Sequence, residues 1–431
     1  MREEKVFHVP LTQSLKKKIL AWAQQFSEVI WMDSNEYPQQ YHSYEAILAV
    51  DAFTAIKTDA FRAFEKLQEY QMVTQDWLFG YLSYDLKNDV EQLSSHNYDG
   101  LFFPELYFFQ PKKIFLFSEN TVTLSYLRMV EDEMETDWKA IQGFPQESFA
   151  TGSSETPVKI HLRTSKDSYF EKVRTLLSHI ERGDIYEANF CQEFYAEEVS
   201  LNPLPTFWHL NQISKPPFAT FLKLQEHYAF SASPERYIKR VGAKVISQPI
   251  KGTAKRLPSP SEDRKAALQL QQDPKERSEN IMITDLVRND LSRFAEKGSV
   301  LVEELCEVYS FEQVHQLIST ISCRVSPQLP SVEILKNTFP MGSMTGAPKI
   351  SAMKIIEALE DAKRGLYSGA IGYFDPHGDF DFNVMIRSIF YNAERRYASY
   401  SVGGAITANS IPDKEYEECL LKAKAMREAL E

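Results

Sequence analysis

Cysteine is scarce and scattered. Cys191, Cys306, Cys323 and Cys419 are the four in 431 residues, and no two stand in a CxxC spacing. Neither a zinc site nor a disulfide framework is supported, and a reducing cytoplasm fits. No apolar run approaches the roughly 20 residues of a membrane span. The longest candidates, near Leu101–Phe109 and Ile114–Phe117, are broken by Pro104, Glu105, Pro111, Lys112 and Lys113. Met1–Pro10 is charged and mixed, so no secretory signal is expected. Basic residues are in deficit, 48 against 60 acidic, for a net charge of −12. That excludes the basic face of a nucleic-acid binder and predicts no attraction to anionic lipid. There is no solenoid-period repeat, and the GxxxxGK[ST] phosphate loop is absent.

What is present is an ordinary globular composition, 43% apolar and 25% charged. The length allows about three domains, or two lobes when sheets share a core. An aromatic-rich region spans 1–150. The Gly/Ser/Pro-rich stretch Gly143–Pro157 is the best linker candidate, followed by a second unit over 160–431. Helices are predicted at Asp59–Tyr70 (Phe61, Phe64 and Leu67 on one face), Lys166–Arg182 (capped by Asp167 or Ser168), Asp263–Gln271, Glu276–Asp290, Pro348–Ala362 and Lys414–Leu430. Strands are predicted at Trp77–Tyr84, Ala219–Leu224, Tyr228–Ser231, Val245–Ile250, Gly369–Phe374, Phe380–Tyr391 and Tyr397–Ile406. Irregular alternation of the two types favours α+β over a parallel βαβ sheet.

Four features could carry chemistry. Glu276 and Glu279 share one helix face, as do Glu415 and Glu418. By spacing alone a solvated acidic face is the simpler account. The sharper one is a hard-cation site, because Mg²⁺ is held by one or two carboxylates plus water and substrate oxygens. Lys251 follows the strand-like VISQPI and precedes Gly252. In isolation it reads as a surface lysine in a turn. As a nucleophile it must be neutral, and at a free pKa near 10.4 that costs roughly 4–5 kcal/mol at pH 7. Burial or a nearby cation, such as bound Mg²⁺, would lower that cost. The loop Met341–Lys349 (MGSMTGAPK) runs into a helix, and Gly403-Gly404 follows a strand; both could present amides to an anion. Finally, DLVRNDLSR (285–293) and DFNVMIRS (381–388) set charges in an apolar frame. Arg387 suits a bidentate carboxylate clamp, whereas Arg288 and Asp290 read as a structural ion pair.

Taken together, SPERY (233–237), PIKGT (249–253), ERSENIMITDLVRNDLSR (276–293), FPMGSMTGAPK (339–349), GLYSGAIGYF (365–374), DFNVMIRS and SVGGAITANSIPDKEYEECLLKA resemble the chorismate-utilising enzymes. These stretches span about 165–430. WMDSNEY (31–37) and DWLFGYLSYDL (76–86) resemble the family's N-terminal region more faintly. The resemblance implies two facing, mostly antiparallel sheets with helices outside. PIKGT, rather than PIAGT, points to the branch that aminates chorismate at C4, giving 4-amino-4-deoxychorismate for p-aminobenzoate and folate. Anthranilate synthesis, or a non-catalytic chorismate- or tryptophan-binding subunit, are the alternatives.

The same resemblance implies roles for single residues. Lys251 attacks C2 of chorismate, and Glu235 protonates the departing hydroxyl. Glu279 and Glu418 are direct Mg²⁺ ligands, with Glu276 and Glu415 as their outer partners. Tyr367, Arg387, Gly403 and Gly404 lie near the enolpyruvyl carboxylate, and Thr253 lies by the ring. Ammonia comes from a separate glutaminase subunit, since no cysteine here has a glutaminase-like context. Some members bind tryptophan away from the active site; Ser34, Asn189, Pro217 and Phe218 lie in matching segments. Three positions depart from the pattern. Met341 and Ala405 replace glycines. Glu187 stands where amino-group synthases carry glutamine and isochorismate synthases a lysine, so it could guide ammonia or merely pair with a neighbour.

Overall fold

The computed structural model describes residues 2–37, 41, 43–145, 158–312 and 314–431. Most of the expected linker, 146–157, lies outside the described residues.

Two antiparallel sheets face each other and share a pair of long strands, Ala46–Thr58 and Leu106–Ser118. Their pairing shifts register between Ala52 and Thr54, next to Asp51 at φ 61° and opposite Pro111. A bulge bends a strand and tolerates a proline that cannot donate to the ladder. On one side of this bend the first sheet continues through Glu28–Asp33, Phe218–Leu224, His227–Ser233, Ser388–Asn392, Tyr397–Ile406 and Glu187–Ala196. On the other side the second sheet runs through Leu78–Leu82, Ala370–Phe374, Phe380–Val384, Arg236–Val241, Lys244–Gln248 and Val314–Arg324. Strands from before the expected linker thus pair with strands after it in both sheets.

Period-two alternation explains the layering. In the first sheet Ile30, Ile47 and Leu222 point inward, joining Phe79, Phe108, Ile238 and Phe382 of the second in one inner core. Their neighbours Trp31, Leu48 and Phe221 point outward, beneath helices Gln13–Ala23, Lys166–Glu181, Pro203–Ser214 and Pro412–Leu430. Helix Pro274–Ser292 packs Ile283, Val287 and Leu291 against the second sheet. Among the described residues no helix is long and apolar enough to cross a membrane.

Several sequence expectations need correction. The single strand over Phe380–Tyr391 is two, Phe380–Val384 and Ser388–Asn392, because Arg387 takes φ 50° and turns the chain from one sheet to the other. Val245–Ile250 breaks at Pro249, which has no N–H to give. The helix expected from Asp59 begins at Ala63; Asp59 instead accepts from the Phe61 amide at 3.0 Å, and Phe61 is exposed. Ser165, not Asp167 or Ser168, caps Lys166–Glu181. The helix expected over Pro348–Ala362 is Lys349–Leu359.

Candidate active site

Lys251 sits where strand Ile250–Lys255 slips register against Val314–Arg324. Gly252, at φ 92°, makes that slip possible in a conformation few side chains tolerate. A methyl there would also approach Glu276 Oε2 to 3.1 Å. Lys251 Nζ donates to Glu187 Oε1 at 3.0 Å. Glu187 is buried at the start of strand Glu187–Ala196, paired with Ala347 of the glycine-rich loop. Burial alone would lower the Lys251 pKa, but Glu187, Glu279 and Glu235 outweigh it and hold the ammonium above its ordinary value. The chain's own charges therefore oppose the depression expected from sequence.

Glu235 lies in the turn between His227–Ser233 and Arg236–Val241, with its amide on Ser233 Oγ at 3.3 Å. Its own carbonyl accepts from the Val384 amide at 3.0 Å. Burial pushes its carboxyl up to about 7, against the smaller opposing pulls of Ser343, Lys251 and Arg387. A carboxyl so placed carries a proton near neutrality and can deliver it. Burial lowers the Arg387 pKa, and Glu235 opposes that. Among the described residues nothing bonds the Arg387 guanidinium, so its paired N–H groups remain available for a carboxylate.

The four glutamates stand on two helices. Asp273 caps Pro274–Ser292 by accepting from the Lys275 and Glu276 amides. Glu279, a turn further, is pushed up to about 7 by burial, with Lys251 and Lys275 pulling down. Its Oε1 is buried and, among the described residues, has no hydrogen bond; Lys275 Nζ stands 3.8 Å away. Burial also raises Glu276 and Glu415. On Pro412–Leu430, burial pushes Glu418 upward, but Lys422 at 2.7 Å outweighs it and holds the carboxyl low. Lys422 also donates to the Gly403 carbonyl at 2.9 Å. A methyl on Gly404 would lie 3.5 Å from Glu415 and 3.8 Å from Glu418, so this backbone runs beside the second acidic pair.

These residues fit a hard cation. Among the described residues no three acidic, histidine or cysteine side chains converge on one point, but Mg²⁺ needs only one or two carboxylates. The orphaned Glu279 oxygen is the sort of buried acceptor a cation satisfies.

Tyr367 and Gly403 meet at a residue the sequence did not single out. Tyr367 Oη lies 3.5 Å from Cys191 Sγ, and a methyl on Gly403 would come within 2.5 Å of the same sulfur. Burial pushes that thiol up to about 12, so it is an inert wall. Arg364 was also missed: it bridges the Met344 and Asn189 carbonyls, each at 2.7 Å, and pairs with Glu360. Thr253 is exposed, opposite Gln316. Ala405 pairs with Asn189, and Met341 lines a small cavity behind Glu235. Asp290 pairs with Lys349 rather than with Arg288, which is exposed and bonds Asp285.

The five residues grouped as a tryptophan or ammonia path separate. Glu187 and Asn189 belong to the cleft just described. Ser34, Pro217 and Phe218 line a second cavity, with Arg236, Asp381 and Asn383. Asn383 is buried there with neither amide atom bonded among the described residues.

Residues 11–428 match the family described as chorismate binding enzyme. This chain belongs to that family. It is 36% identical to aminodeoxychorismate synthase component 1 of Escherichia coli strain K12, over 83% of this chain and 77% of the relative. It is 32% identical to anthranilate synthase component 1 of Thermus thermophilus, over 82% and 77%. Among solved structures, anthranilate synthase component I from Streptococcus pneumoniae superposes with a TM-score of 0.76 at 26% identity, covering 91% of this chain and 94% of that one. The menaquinone-specific isochorismate synthase of Escherichia coli shares the fold, with a TM-score of 0.79 at 15% identity, covering 100% and 95%.

Proposed function

We propose that this chain is a chorismate-aminating subunit, making 4-amino-4-deoxychorismate from chorismate and ammonia. The observation that carries the reading is the pairing, in one cleft, of a buried acid able to hold a proton near pH 7, Glu235, with a lysine amine, Lys251. The higher identity to the aminodeoxychorismate synthase supports it over anthranilate synthesis.

Arg387 and the amides at Gly403-Gly404 orient the substrate carboxylates. Glu235 gives its proton to the departing 4-hydroxyl, which leaves as water while the Lys251 nitrogen bonds to C2. Ammonia then bonds to C4, and the C2–nitrogen pair returns to Lys251. Glu279 and Glu418 would hold Mg²⁺, with Glu276 and Glu415 behind them; when bound, the ion polarises the substrate carboxylate and adds positive charge beside Lys251. Ammonia is supplied by a separate glutaminase subunit. The second cavity suits an aromatic amino acid such as tryptophan, since the buried Asn383 amide presents a donor and an acceptor beside Phe218, with the Arg236–Asp381 ion pair in its wall. Four buried free cysteines suit a reducing cytoplasm.

The test is product identity. The purified chain with chorismate, Mg²⁺ and ammonium should give an amino-deoxychorismate by chromatography and mass, convertible to p-aminobenzoate by added lyase. Anthranilate, isochorismate or untouched chorismate would refute the reading.

A further inference from the structure

Lys251 stands on a strand with little in its own sheet to hold it. Among the described residues Ile250–Lys255 has one ladder neighbour, Val314–Arg324, and the register jumps from Ile250 opposite Ile318 to Thr253 opposite Gln316. Lys251 and Gly252 therefore face the single residue Leu317, and such a bulge disrupts the ladder locally. The clasp comes from helix Pro274–Ser292, which packs across both strands. Asn280, 1% exposed, donates through Nδ2 to the Lys251 carbonyl at 3.3 Å and to the Leu317 carbonyl at 3.1 Å. Its Oδ1 accepts from Ser319 Oγ and from Cys306 Sγ, the latter at 3.5 Å. Two donors and two acceptor sites are the full capacity of an amide, and carbonyls can only accept, so the partners dictate the orientation. Aspartate lacks the donors, leucine has none, and glutamine is a methylene too long.

We propose that Asn280 is a positioning residue for Lys251: its amide clasps the backbone of the nucleophile to Leu317 across the register slip and so fixes where the amine stands. This rests on the aminating function proposed above, in which Lys251 bonds to C2. Glu187 holds the lysine at its tip, and Asn280 holds it at its root. Asn280 is enclosed between helix and sheet, so it acts through the lysine and moves no proton. A displacement of the amine by about 1 Å is enough to slow bond formation on the order of a hundredfold. The helix turn that carries the carboxylate of Glu279 thus also carries the amide that places the nucleophile.

The experiment compares the parent with Asn280→Leu, near-isosteric and without polar atoms, and with Asn280→Ala. The alanine variant leaves room for water at the freed carbonyls and so keeps the fold where the leucine variant loses it. The Lys251 adduct formed with chorismate and Mg²⁺ before ammonia is added is followed by quenched intact mass. That gives a rate constant at saturation and a half-saturating chorismate concentration. Mg²⁺ affinity is measured by calorimetry, and hydrogen exchange over Ile250–Lys255 reads the clasp without any reaction. The rate constant should fall about tenfold to a hundredfold, the loss expected for two hydrogen bonds. Half-saturation and Mg²⁺ affinity should stay within about threefold, because Arg387, the Gly403-Gly404 amides and the glutamates hold those ligands. Exchange should quicken about tenfold over Ile250–Lys255 and not along 283–291. An unchanged adduct rate or unchanged exchange overturns the proposal. A rate loss matched by an equal weakening of Mg²⁺ overturns it as well, since Asn280 would then serve to hold the helix. A parent chain that makes neither adduct nor amino product refutes the aminating function, and exchange alone then decides whether the clasp exists.

Discussion

Lys349 donates to Asp290 across 2.6 Å inside the core, tying the loop that carries Ser343 to the helix that carries Glu276 and Glu279. Lys349 also holds the Thr338 carbonyl at 3.2 Å. Removing one partner strands a buried charge. Asp290→Ala should therefore cost about 3–5 kcal/mol, whereas Asp290→Leu combined with Lys349→Met should recover most of it. Urea midpoints at constant slope measure both. Similar losses in the single and double variants would mean that the pair is not what couples these elements.

Glu235 makes a pH prediction of definite sign. An acid must be protonated to act, so kcat/KM should fall as pH rises through about 7, and Glu235→Gln should lower it at least a hundredfold. Stability follows the same proton. Its folded pKa is raised from 4.5, so the folded state binds the proton more tightly than the unfolded one. That contribution is present below about 4.5 and is lost as pH rises to about 7. Glu235→Gln should flatten the fall in unfolding free energy between pH 5 and 8 by up to about 3 kcal/mol. An unchanged slope would show that Glu235 is ionised throughout.

Mg²⁺ should compete with protons on the acidic pairs. Glu279 is held at about 7, so binding near pH 7 should release a measurable fraction of a proton. Calorimetric enthalpies in two buffers of different ionisation heat reveal it. Glu279→Ala and Glu418→Ala should each weaken Mg²⁺ at least tenfold, and Glu276→Ala or Glu415→Ala somewhat less. Buffer-independent heats with unaltered affinity in Glu279→Ala would take that residue out of the site.

Lys251→Ala should eliminate the adduct of chorismate mass on the protein. Rate is the poorer readout, because ammonia attacking directly would sustain turnover. A persisting adduct would assign the nucleophile elsewhere.

The cavity lined by Ser34, Phe218 and the unbonded Asn383 amide predicts stabilisation by tryptophan. At a hundredfold excess over its dissociation constant the gain should be about 2.7 kcal/mol. Asn383→Leu should abolish that gain while leaving the ligand-free protein at least as stable, because it removes two buried unbonded atoms. A tryptophan shift retained in Asn383→Leu would place the ligand elsewhere.

Much of the site was legible because its signals are local. The glutamate pairs of the two acidic helices, the lysine before Gly252 and the SPERY stretch are read from adjacent residues, although the Asp273-Pro274 start of the first helix was not. The layering was legible only through the family resemblance and not from the residues themselves, because the pairing of Glu28–Asp33 with Phe218–Leu224 joins segments nearly the whole first half apart. Arg387 was singled out as a carboxylate clamp, yet the strand break it makes stayed hidden, since DFNVMIRSIFY is continuously strand-like and a left-handed φ leaves no mark in composition. Ser34 and Pro217 meet while Asn189 does not, for the same reason: the cavity is made by strand order. Cys191 gave no signal beyond being a cysteine.

The shared sheets have a consequence for how this chain is made. Leu78–Leu82 finds its outer neighbour in Ala370–Phe374, and Glu187–Ala196 finds its full-length partner in Tyr397–Ile406. Nearly the whole polypeptide must therefore leave the ribosome before either sheet closes. Until then, apolar strands such as LFGYL present unpaired edges, a state prone to aggregation. Truncation at any interior boundary should yield insoluble material rather than a working half.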